Sequence, residues 1–335
     1  MDPFIPVPPE HYGGIERVVF DLANQYVKMG HKVTLIAGPN SKSPDRLITY
    51  GCNGELDNKI DWKVSLELYQ ILKKEIKNHD VLHNFGRLAF LAPFLRSKIR
   101  KIQTYMRYVN IRNINWYDKV APKNLIYTAV SDAIVNTGKT SKSTWKTVYN
   151  CAPLEKYDFN DQVPEDAYLA FLGRLERCKG AHSAIKVAKM TNRKLIIAGN
   201  ISTLREEKEY FEEEIKPLID GDQIKYIGVV NDAQKNHFLG NASALLTPIE
   251  WFEPFPIIIP EAFACGTPVL GFRNGGVPEG IEPGVTGFLS SSVEEMSAQI
   301  SQIRFLDRKK CYETAVSRFS DNSIAKAYLE IYNSF

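Results

Sequence analysis

Short apolar runs alternate with helix-like segments along most of this 335-residue chain. Ile15, Val18, Val19 and Leu22 recur at helical spacing, Gly30 ends the pattern, and the run "KVTLIAG" that follows has the composition of a short buried strand. The other strand-like runs of the first half are "DVLHNF", "KIQTYM", "NLIYTAVS" and "WKTVYN". This alternation predicts a parallel sheet, because parallel strands are joined by crossovers that are usually helical.

A second alternating series follows, with the strand-like runs "AYLAFLG", "KLIIAG", "IKYIG" and "ALLTP", and the tail from "VEEMSAQISQIRFL" onward has a helical pattern alone. The polar stretch "NCAPLEKYDFNDQVPED" lacks periodicity, so we place a domain boundary there. We expect an α/β chain with two doubly wound parallel-sheet domains, 1–150 and 151–318, facing each other across a cleft. A final helix, 319–335, is expected to return to the first domain. Ligands of such sheets bind beyond the carboxyl ends of the strands.

The composition excludes several classes of protein. An apolar fraction of 44% with 24% charged residues is typical of a globular protein, and a net charge of +3 is too small to indicate nucleic acid as a partner. No apolar run reaches the roughly 20 residues of a membrane-spanning helix, and the first residues lack the pattern of a signal peptide. We therefore expect a cytoplasmic protein. The five cysteines are widely scattered, which favours reduced thiols over disulfides or a zinc site.

One candidate anion site lies in "FLGRLERCKG", where a strand ends at Gly173 and a helix begins after Gly180. Arg174 can bind phosphate oxygens in bidentate fashion, Lys179 adds a point charge, and backbone N–H groups at a helix start favour an anion. A solvated turn carrying ordinary surface cations would have the same composition.

A second candidate is "EHYGGIERVV", in which Gly13 and Gly14 directly precede the first helix. Paired glycines allow another molecule to approach the backbone closely, so a phosphate or sugar could lie on this helix start. A tight turn entering a helix is the simpler interpretation, since the full dinucleotide fingerprint is missing and the chain has no P-loop.

Two carboxylates bracket the apolar segment of "EWFEPFPIIIPEAFACGTPV". Glu253 is predicted in a loop after a strand, whereas Glu261 is predicted about one turn inside a helix that begins near Pro256 and ends at Gly266. Pro260 is expected to cost that helix one backbone hydrogen bond. Acids beside a positive helix end suit a polyhydroxyl ligand that also carries phosphate. An acid that complements the helix dipole would explain Glu253 alone.

These motifs together resemble the retaining nucleotide-sugar glycosyltransferases of family 4 (group 1), which have the GT-B fold of two Rossmann-like domains. "YGGIERVV" resembles the family's glycine loop, and "FLGRLERCKG" resembles its phosphate loop. "EPFPIIIPEAFACGTPVLGFRNGGVPEGIEPGVTGFL" resembles its two-glutamate signature. The resemblance covers nearly the whole chain, with the motifs in the family's order.

The resemblance implies a role for each matching residue. It assigns catalytic roles in sugar transfer to Arg174, Lys179 and Glu253, with the two cations binding the diphosphate and Glu253 facing the transferred sugar. Glu261 would bind the ribose hydroxyls. Further donor contacts are implied for the glycine loop and for the backbone at the start of the helix, namely Gly13, Gly14, Phe255, Pro256 and Ile257.

The resemblance also implies the chemistry. A hexose-type sugar would move from a nucleotide diphosphate such as UDP or GDP with retention at the anomeric carbon, and the departing phosphate oxygen would help to take the acceptor proton. No metal or other cofactor is expected, because the cations and helix ends neutralise the phosphates. The acceptor could be a glycan, a lipid-linked sugar or a small molecule in carbohydrate biosynthesis.

The sequence departs from the family pattern at three points. Met106 falls where members often carry histidine, and Pro256 replaces the usual glycine and removes one backbone donor. The strand that normally precedes the glycine loop has almost no room, so either the chain is shortened at its start or the sheet lacks a central strand. His83 and His11 lie at predicted strand or loop ends, where most lone histidines are structural or surface groups.

Other interpretations stay open at the level of the sequence. Met106 and the short N-terminus would fit an inactive relative that binds a nucleotide or partner, and a nucleotide-sugar epimerase shares the same architecture. Peripheral membrane contact is a further possibility, although such a run is more often a solvated face. It rests on a basic stretch that contains two tyrosines, Tyr105 and Tyr108, and the cations Lys98, Arg100, Lys101, Arg107 and Arg112.

Overall fold

The computed structural model describes residues 1–9, 13–51, 61–120 and 122–335. His11 and Cys52 lie outside these ranges. The chain divides into two compact units: unit 1 consists of Met1–Asn150 with Asp321–Phe335, and unit 2 consists of Cys151–Ser320. All strand pairs described in both units are parallel, so the predicted α/β class is confirmed.

Unit 2 contains a six-stranded parallel sheet in the order β12-β11-β10-β7-β8-β9. The order reverses between β7 and β10, which makes the carboxyl ends of these two strands the switch point where doubly wound sheets bind their ligands. The strands are β7 (Leu169–Leu172), β8 (Leu195–Ala198), β9 (Ile224–Tyr226), β10 (Ala244–Thr247), β11 (Val269–Phe272) and β12 (Gly287–Ser290).

The helices of unit 2 cover this sheet. Apolar residues of the helix Ala181–Met190 pack against Leu169 and Phe171 of β7 in one buried cluster. Because the strands are buried on both faces, they read as continuous apolar runs such as "LAFL" and "ALLT". The helices are α5 (Ala181–Met190), α6 (Arg205–Tyr210), α7 (Asp232–Gly240), α8 (Ile258–Ala264), α9 (Val277–Gly280), α10 (Val293–Gln299) and α11 (Arg308–Thr314).

Unit 1 holds two separate parallel sheets. The first pairs β1 (Thr34–Ala37) with β2 (Arg46–Thr49), and the second has the order β3-β4-β5-β6. The strands of the second sheet are β3 (Val81–Asn84), β4 (Arg100–Tyr105), β5 (Leu125–Ala129) and β6 (Trp145–Thr147). The helices of unit 1 are α1 (Gly14–Lys28), α2 (Trp62–Glu75), α3 (Ile111–Lys119), α4 (Asp132–Gly138) and α12 (Asp321–Asn333).

The first residues of the chain touch both sheets of unit 1. The Met1 amino group donates to the carbonyl oxygen of Ile36 in β1 at 3.2 Å, and the N–H of Arg87, after β3, donates to Asp2 at 3.3 Å. In the described part of the chain, no strand precedes Gly14. The two sheets of unit 1 are thus joined here by single hydrogen bonds and not by a strand ladder.

The final helix, α12, packs on α1 and covers His83 in unit 1. Nδ1 of His83 lies 2.6 Å from the Tyr332 hydroxyl, and Nε2 lies 2.6 Å from Oγ1 of Thr104. The hydroxyls of Tyr26 and Tyr332 are 3.0 Å apart. Burial lowers the pKa of His83 to about 3. His83 is therefore a neutral structural residue inside unit 1.

Three strands were missed by the sequence patterns. β2 is a four-residue run, "RLIT", in which no residue is fully buried, while β11 and β12 lie inside a stretch rich in glycine and proline. The predicted runs at β1, β3 to β6 and β7 to β10 are confirmed. β2 and β12 give little signal, because pairing with a neighbouring strand stabilises them more than their own composition does. β11, "VLGF", is a buried apolar run, but it is short and is interrupted by a glycine.

The basic stretch between residues 98 and 112 does not form one charged face. Lys101 lies inside β4 and is fully buried, where Nζ donates to the carbonyl oxygens of Ser97 and Ile99 at 2.9 and 2.7 Å. Lys98 precedes β4 and Arg107 follows it, so they lie at opposite ends of the strand. The expectation that Lys101 could meet an anionic surface is wrong, since β4 is covered on both faces and its residues from Lys101 to Thr104 are all buried. Among the described residues, no helix is both long and apolar enough to cross a membrane.

Replacing His83 with Gln should flatten the dependence of stability on pH. Unfolded His83 titrates near 6.5 but folded His83 only near 3, so the unfolded state binds more protons between these values and stability falls as the pH falls below 6.5. From pH 7.5 to 5.0 the wild type should lose about 2 kcal/mol more unfolding free energy than His83→Gln. Urea unfolding at both pH values measures this, and equal losses in the two proteins would contradict it.

Candidate functional site

The loop after β7 carries the first predicted site residues. Gly173 follows the strand, and Arg174 forms an ion pair with the buried carboxylate of Glu176. Gly180 has a φ of +78° and directly precedes α5, so the chain turns sharply between Lys179 and the helix. The sequence thus correctly places two cations between a strand end and a helix start.

The loop after β10 is fastened to this first loop through the backbone. The Glu250 N–H donates to the carbonyl oxygen of Cys178 at 2.9 Å. A Cβ on Gly180 would lie only 1.9 Å from the carbonyl oxygen of Pro248, so glycine is required for the two loops to approach this closely. Because β7 and β10 are neighbours, both loops start at the same edge of the sheet. They form one continuous structure at the switch point.

Lys179 and Glu253 meet at this edge. The Nζ atom of Lys179 lies 2.6 Å from Oε2 of Glu253, and Nε1 of Trp251 donates to the same oxygen at 2.5 Å. The lysine Nζ is also 5.0 Å from the centroid of the Trp251 ring. The side chains of Lys179 and Glu253 are 16% and 10% exposed, so the two charges compensate each other in a largely buried place.

A third loop, after β11, holds the backbone of Glu253. The Gly276 N–H donates to the Glu253 carbonyl oxygen at 2.7 Å. A Cβ on Gly275, which has a φ of +55°, would lie 2.1 Å from that same oxygen. The "NGG" of the sequence therefore has a local purpose, since it lets the third loop pass directly beneath Glu253.

Glu261 lies in α8 and makes a separate set of contacts. Its Oε1 accepts from Nζ of Lys235 at 2.5 Å and from the Tyr157 hydroxyl at 2.8 Å. The Lys235 Nζ lies 5.5 Å from the centroid of the Tyr157 ring. Burial, aided by the Glu261 charge, raises the pKa of Tyr157 well above its ordinary value, so the phenol keeps its proton and donates it.

The start of α8 differs in detail from the prediction. The helix begins at Ile258, which places Pro260 at its third position, where the N–H has no partner within a helix in any case. The expected loss of one backbone bond is therefore wrong. Phe255 and Pro256 are buried and Ile257 is partly exposed at the entry to the helix. Gly266, with a φ of +80°, ends the helix as predicted.

The predicted residues of the glycine loop belong to unit 1. Gly13 caps α1 and Gly14 is its first residue. Glu16 in the first turn is buried, and this burial raises the pKa of its carboxyl group. Met106, which stands in the position of the family's histidine, follows β4 directly and is partly exposed.

A polar cluster that the sequence patterns missed lies at the start of α5. Oε1 of Glu250 accepts from the Ser183 hydroxyl at 2.9 Å and lies 2.9 Å from Nε2 of His182. Nδ1 of His182 is 2.8 Å from the Tyr210 hydroxyl. The cluster places a carboxylate at the positive end of a ten-residue helix, which stabilises both loop and helix.

Three residues that contact the predicted acids were missed by the sequence analysis. Trp251 lies two positions before Glu253, and the sequence gave no reason to select it beyond this short separation. Lys235 and Tyr157 lie 26 and 104 positions from Glu261 in the sequence. Their contacts result from the packing of α7 and of the segment before β7 on α8. No periodicity or spacing could have identified them. In the described ranges, no group of three or more His, Cys, Asp or Glu side chains could hold a metal ion.

Two family models match the chain. The model described as glycosyl transferases group 1 matches residues 155–316, and the model described as glycosyltransferase family 4 matches residues 12–145. The chain belongs to the group 1, family 4 glycosyltransferases.

An uncharacterised 41.2 kDa protein of the Klebsiella pneumoniae cps region is 28% identical over 215 residues. The alignment covers 58% of this chain, and the chain spans only 56% of that relative. A glycosyltransferase involved in avilamycin A biosynthesis has a similar structure, with a TM-score of 0.73 at 24% identity over 98% of this chain and 92% of that one.

The Anabaena protein HepE, crystallised with UDP and glucose, has a TM-score of 0.71 at 19% identity over 96% of both chains. These structural likenesses show the GT-B fold of two Rossmann-like domains.

Replacing Gly180 with Ala should disturb the joined loops, whereas the same change at Gly221 should not. Both glycines have nearly the same φ, +78° and +77°, but a Cβ at Gly221 would meet no atom within 4 Å. Gly221→Ala should cost about 1 kcal/mol of left-handed backbone strain. Gly180→Ala should cost about 1–3 kcal/mol more because its methyl overlaps the Pro248 carbonyl. Urea unfolding of both variants measures the difference, and equal costs would show that the loops separate easily.

Proposed function

We propose that the protein transfers a sugar from a nucleotide-diphosphate sugar to an acceptor, with retention at the anomeric carbon and without a metal ion. The observation that supports this best is the contact between Lys179 and Glu253 at the switch point of the unit 2 sheet. It places a cation suited to phosphate directly beside an acid suited to sugar hydroxyls.

The donor would lie on unit 2. Arg174 and Lys179 would bind the diphosphate, with further backbone N–H contacts from Phe255 and Ile257, whereas Pro256 between them has no N–H to donate. Since Lys179 is bonded to Glu253, a bound diphosphate would share the lysine with the carboxylate. Glu253 would then accept hydrogen bonds from the hydroxyls of the transferred sugar, and Glu261 would accept them from the ribose.

In the reaction, the bond between the anomeric carbon and the diphosphate oxygen breaks, and a bond from the acceptor oxygen forms on the same face. The departing oxygen takes the acceptor proton. Arg174 and Lys179 stabilise the charge that grows on the diphosphate, which is the role that cations and preorganised dipoles fill in phosphate chemistry. Two fixed cations suffice for this role in principle, so the proposal involves no metal.

The choice of UDP as first probe has support from similar structures. The Anabaena protein HepE was crystallised with UDP and glucose, and again with UDP-glucose. The acceptor, whether a glycan, a lipid-linked sugar or a small molecule, would bind unit 1. We also propose a cytoplasmic location, whereas peripheral membrane contact loses its main support because Lys101 of the basic stretch is buried. An inactive relative or an epimerase is not favoured, because the motif cations and both acids are present.

A nucleotide panel tests the donor site. UDP, GDP and ADP are added to the wild type and to Glu261→Ala, and the unfolding temperature is measured. A ligand at about a hundred times its Kd adds roughly 2.7 kcal/mol of stability, so one nucleotide should raise the wild-type transition clearly. Glu261→Ala should lose most of that response. If no nucleotide stabilises a well-folded wild type, the proposal of an active glycosyltransferase gives way to that of an inactive relative.

Removing the Lys179 charge should slow donor turnover. Lys179→Met leaves Arg174 as the remaining cation proposed to bind the diphosphate. Loss of one preorganised group at a developing charge typically costs about a hundredfold in kcat. The measurement is release of nucleoside diphosphate from the donor sugar that the panel supports. Lys216→Met, which removes an exposed lysine paired with Glu212, is the matched control and should keep the wild-type rate. Equal rates in the two variants would argue against a role for Lys179.

A further inference from the structure

Among the described residues, two side chains bond to Glu261, and both donate to the same carboxylate oxygen. Lys235 and Tyr157 donate to Oε1 at 2.5 and 2.8 Å. A carboxylate oxygen has two principal lone pairs, so two donors saturate it. A ligand hydroxyl that binds this carboxylate would therefore use Oε2.

Burial makes this arrangement rigid. The side chains of Glu261 and Lys235 are only 6% and 12% exposed, and Nζ of Lys235 lies 5.5 Å from the centroid of the Tyr157 ring. Removing one partner of a buried charge pair is costly, because the other charge is left without compensation. The carboxylate cannot turn Oε1 outward without giving up both bonds.

The elements that carry the two donors are themselves fixed. The start of α7 has a capping box, in which Asn231 and Gln234 bond each other's backbone N–H groups at 2.9 Å, and Lys235 follows directly. Asp232 of the same turn lies 3.8 Å from the Lys235 Nζ. Tyr157 follows a short helical turn, Leu154–Lys156, and is buried.

We propose that Lys235 and Tyr157 are positioning residues that hold Oε1 of Glu261 and leave Oε2 to bind the ribose hydroxyls of the donor. They would thereby set the preference for ribonucleotides over 2′-deoxyribonucleotides. This inference rests on the proposed function, in which Glu261 faces the ribose.

A purely structural role for the cluster predicts something different. If Lys235 and Tyr157 only join α7 to α8, their loss lowers the stability of unit 2 and weakens UDP and 2′-deoxy-UDP equally. If they position Glu261, their loss changes the ratio of the two affinities, because only UDP offers the 2′-hydroxyl.

Calorimetric titration with UDP and 2′-deoxy-UDP distinguishes the positioning role from the purely structural role. The proteins are the wild type, Lys235→Met, Lys235→Arg, Tyr157→Phe and the control Lys216→Met, all as the full chain. If the nucleotide panel selects GDP or ADP, that nucleotide and its 2′-deoxy form replace the pair.

The wild type and Lys216→Met should prefer UDP by about 10- to 100-fold, the size of a hydrogen bond to a charged group. Lys235→Met should reduce the preference to about threefold or less, Tyr157→Phe should reduce it in part, and Lys235→Arg should keep most of it.

Three results would overturn the inference. One is an unchanged preference in Lys235→Met, and another is a wild type that binds UDP without any preference. If Lys235→Met does not fold, the ratio of UDP affinity to 2′-deoxy-UDP affinity is measured in Tyr157→Phe instead. The third contradicting result is an unchanged preference for UDP in that variant. A folded wild type that binds none of the nucleotides is a different outcome, since it rejects the proposed function itself.

Discussion

The site depends on the adjacency of two parallel strands, β7 and β10, at the point where the strand order of unit 2 reverses. Their loops leave the same edge of the sheet and are then joined backbone to backbone, through the bond between Glu250 and Cys178 and the close approach of Gly180 to Pro248. A side chain at Gly180 would prevent that approach. The cation of the first loop and the acid of the second meet because the backbone beneath them is fixed in this way.

The two predicted acids are held by the same kind of cluster. Each gives one carboxylate oxygen to a lysine and to an aromatic side chain, and in each case the lysine lies over the aromatic ring. Carboxylates this far buried need a cation nearby, since desolvation would otherwise outweigh their other contacts. Bonding both donors to a single oxygen compensates the charge and keeps the second oxygen as an acceptor. An acid held this way suits a ligand rich in hydroxyl groups.

Unit 1 buries polar groups for structural reasons. Its two sheets are bridged by the first residues of the chain, and α12 covers a network of hydroxyl and imidazole groups around His83. Lys101 is buried against carbonyl oxygens, which satisfy its ammonium group, and burial lowers its pKa to about 8. These groups show why a histidine or a lysine close to a motif need not belong to the site. Buried polar side chains stabilise a fold when each finds a partner.

The sequence alone determined the α/β class, nine of the twelve strands described and the segments that carry Arg174, Lys179, Glu253 and Glu261. Helical and strand periodicities, glycines at turns and motif order are local properties, so they can be read along the chain. Only the tertiary structure decided which of these residues touch. It paired Lys179 with Glu253, placed Lys235 and Tyr157 on Glu261, and turned Lys101 inward. Such contacts join residues up to 104 positions apart, and they follow from strand order and helix packing, which no local pattern encodes.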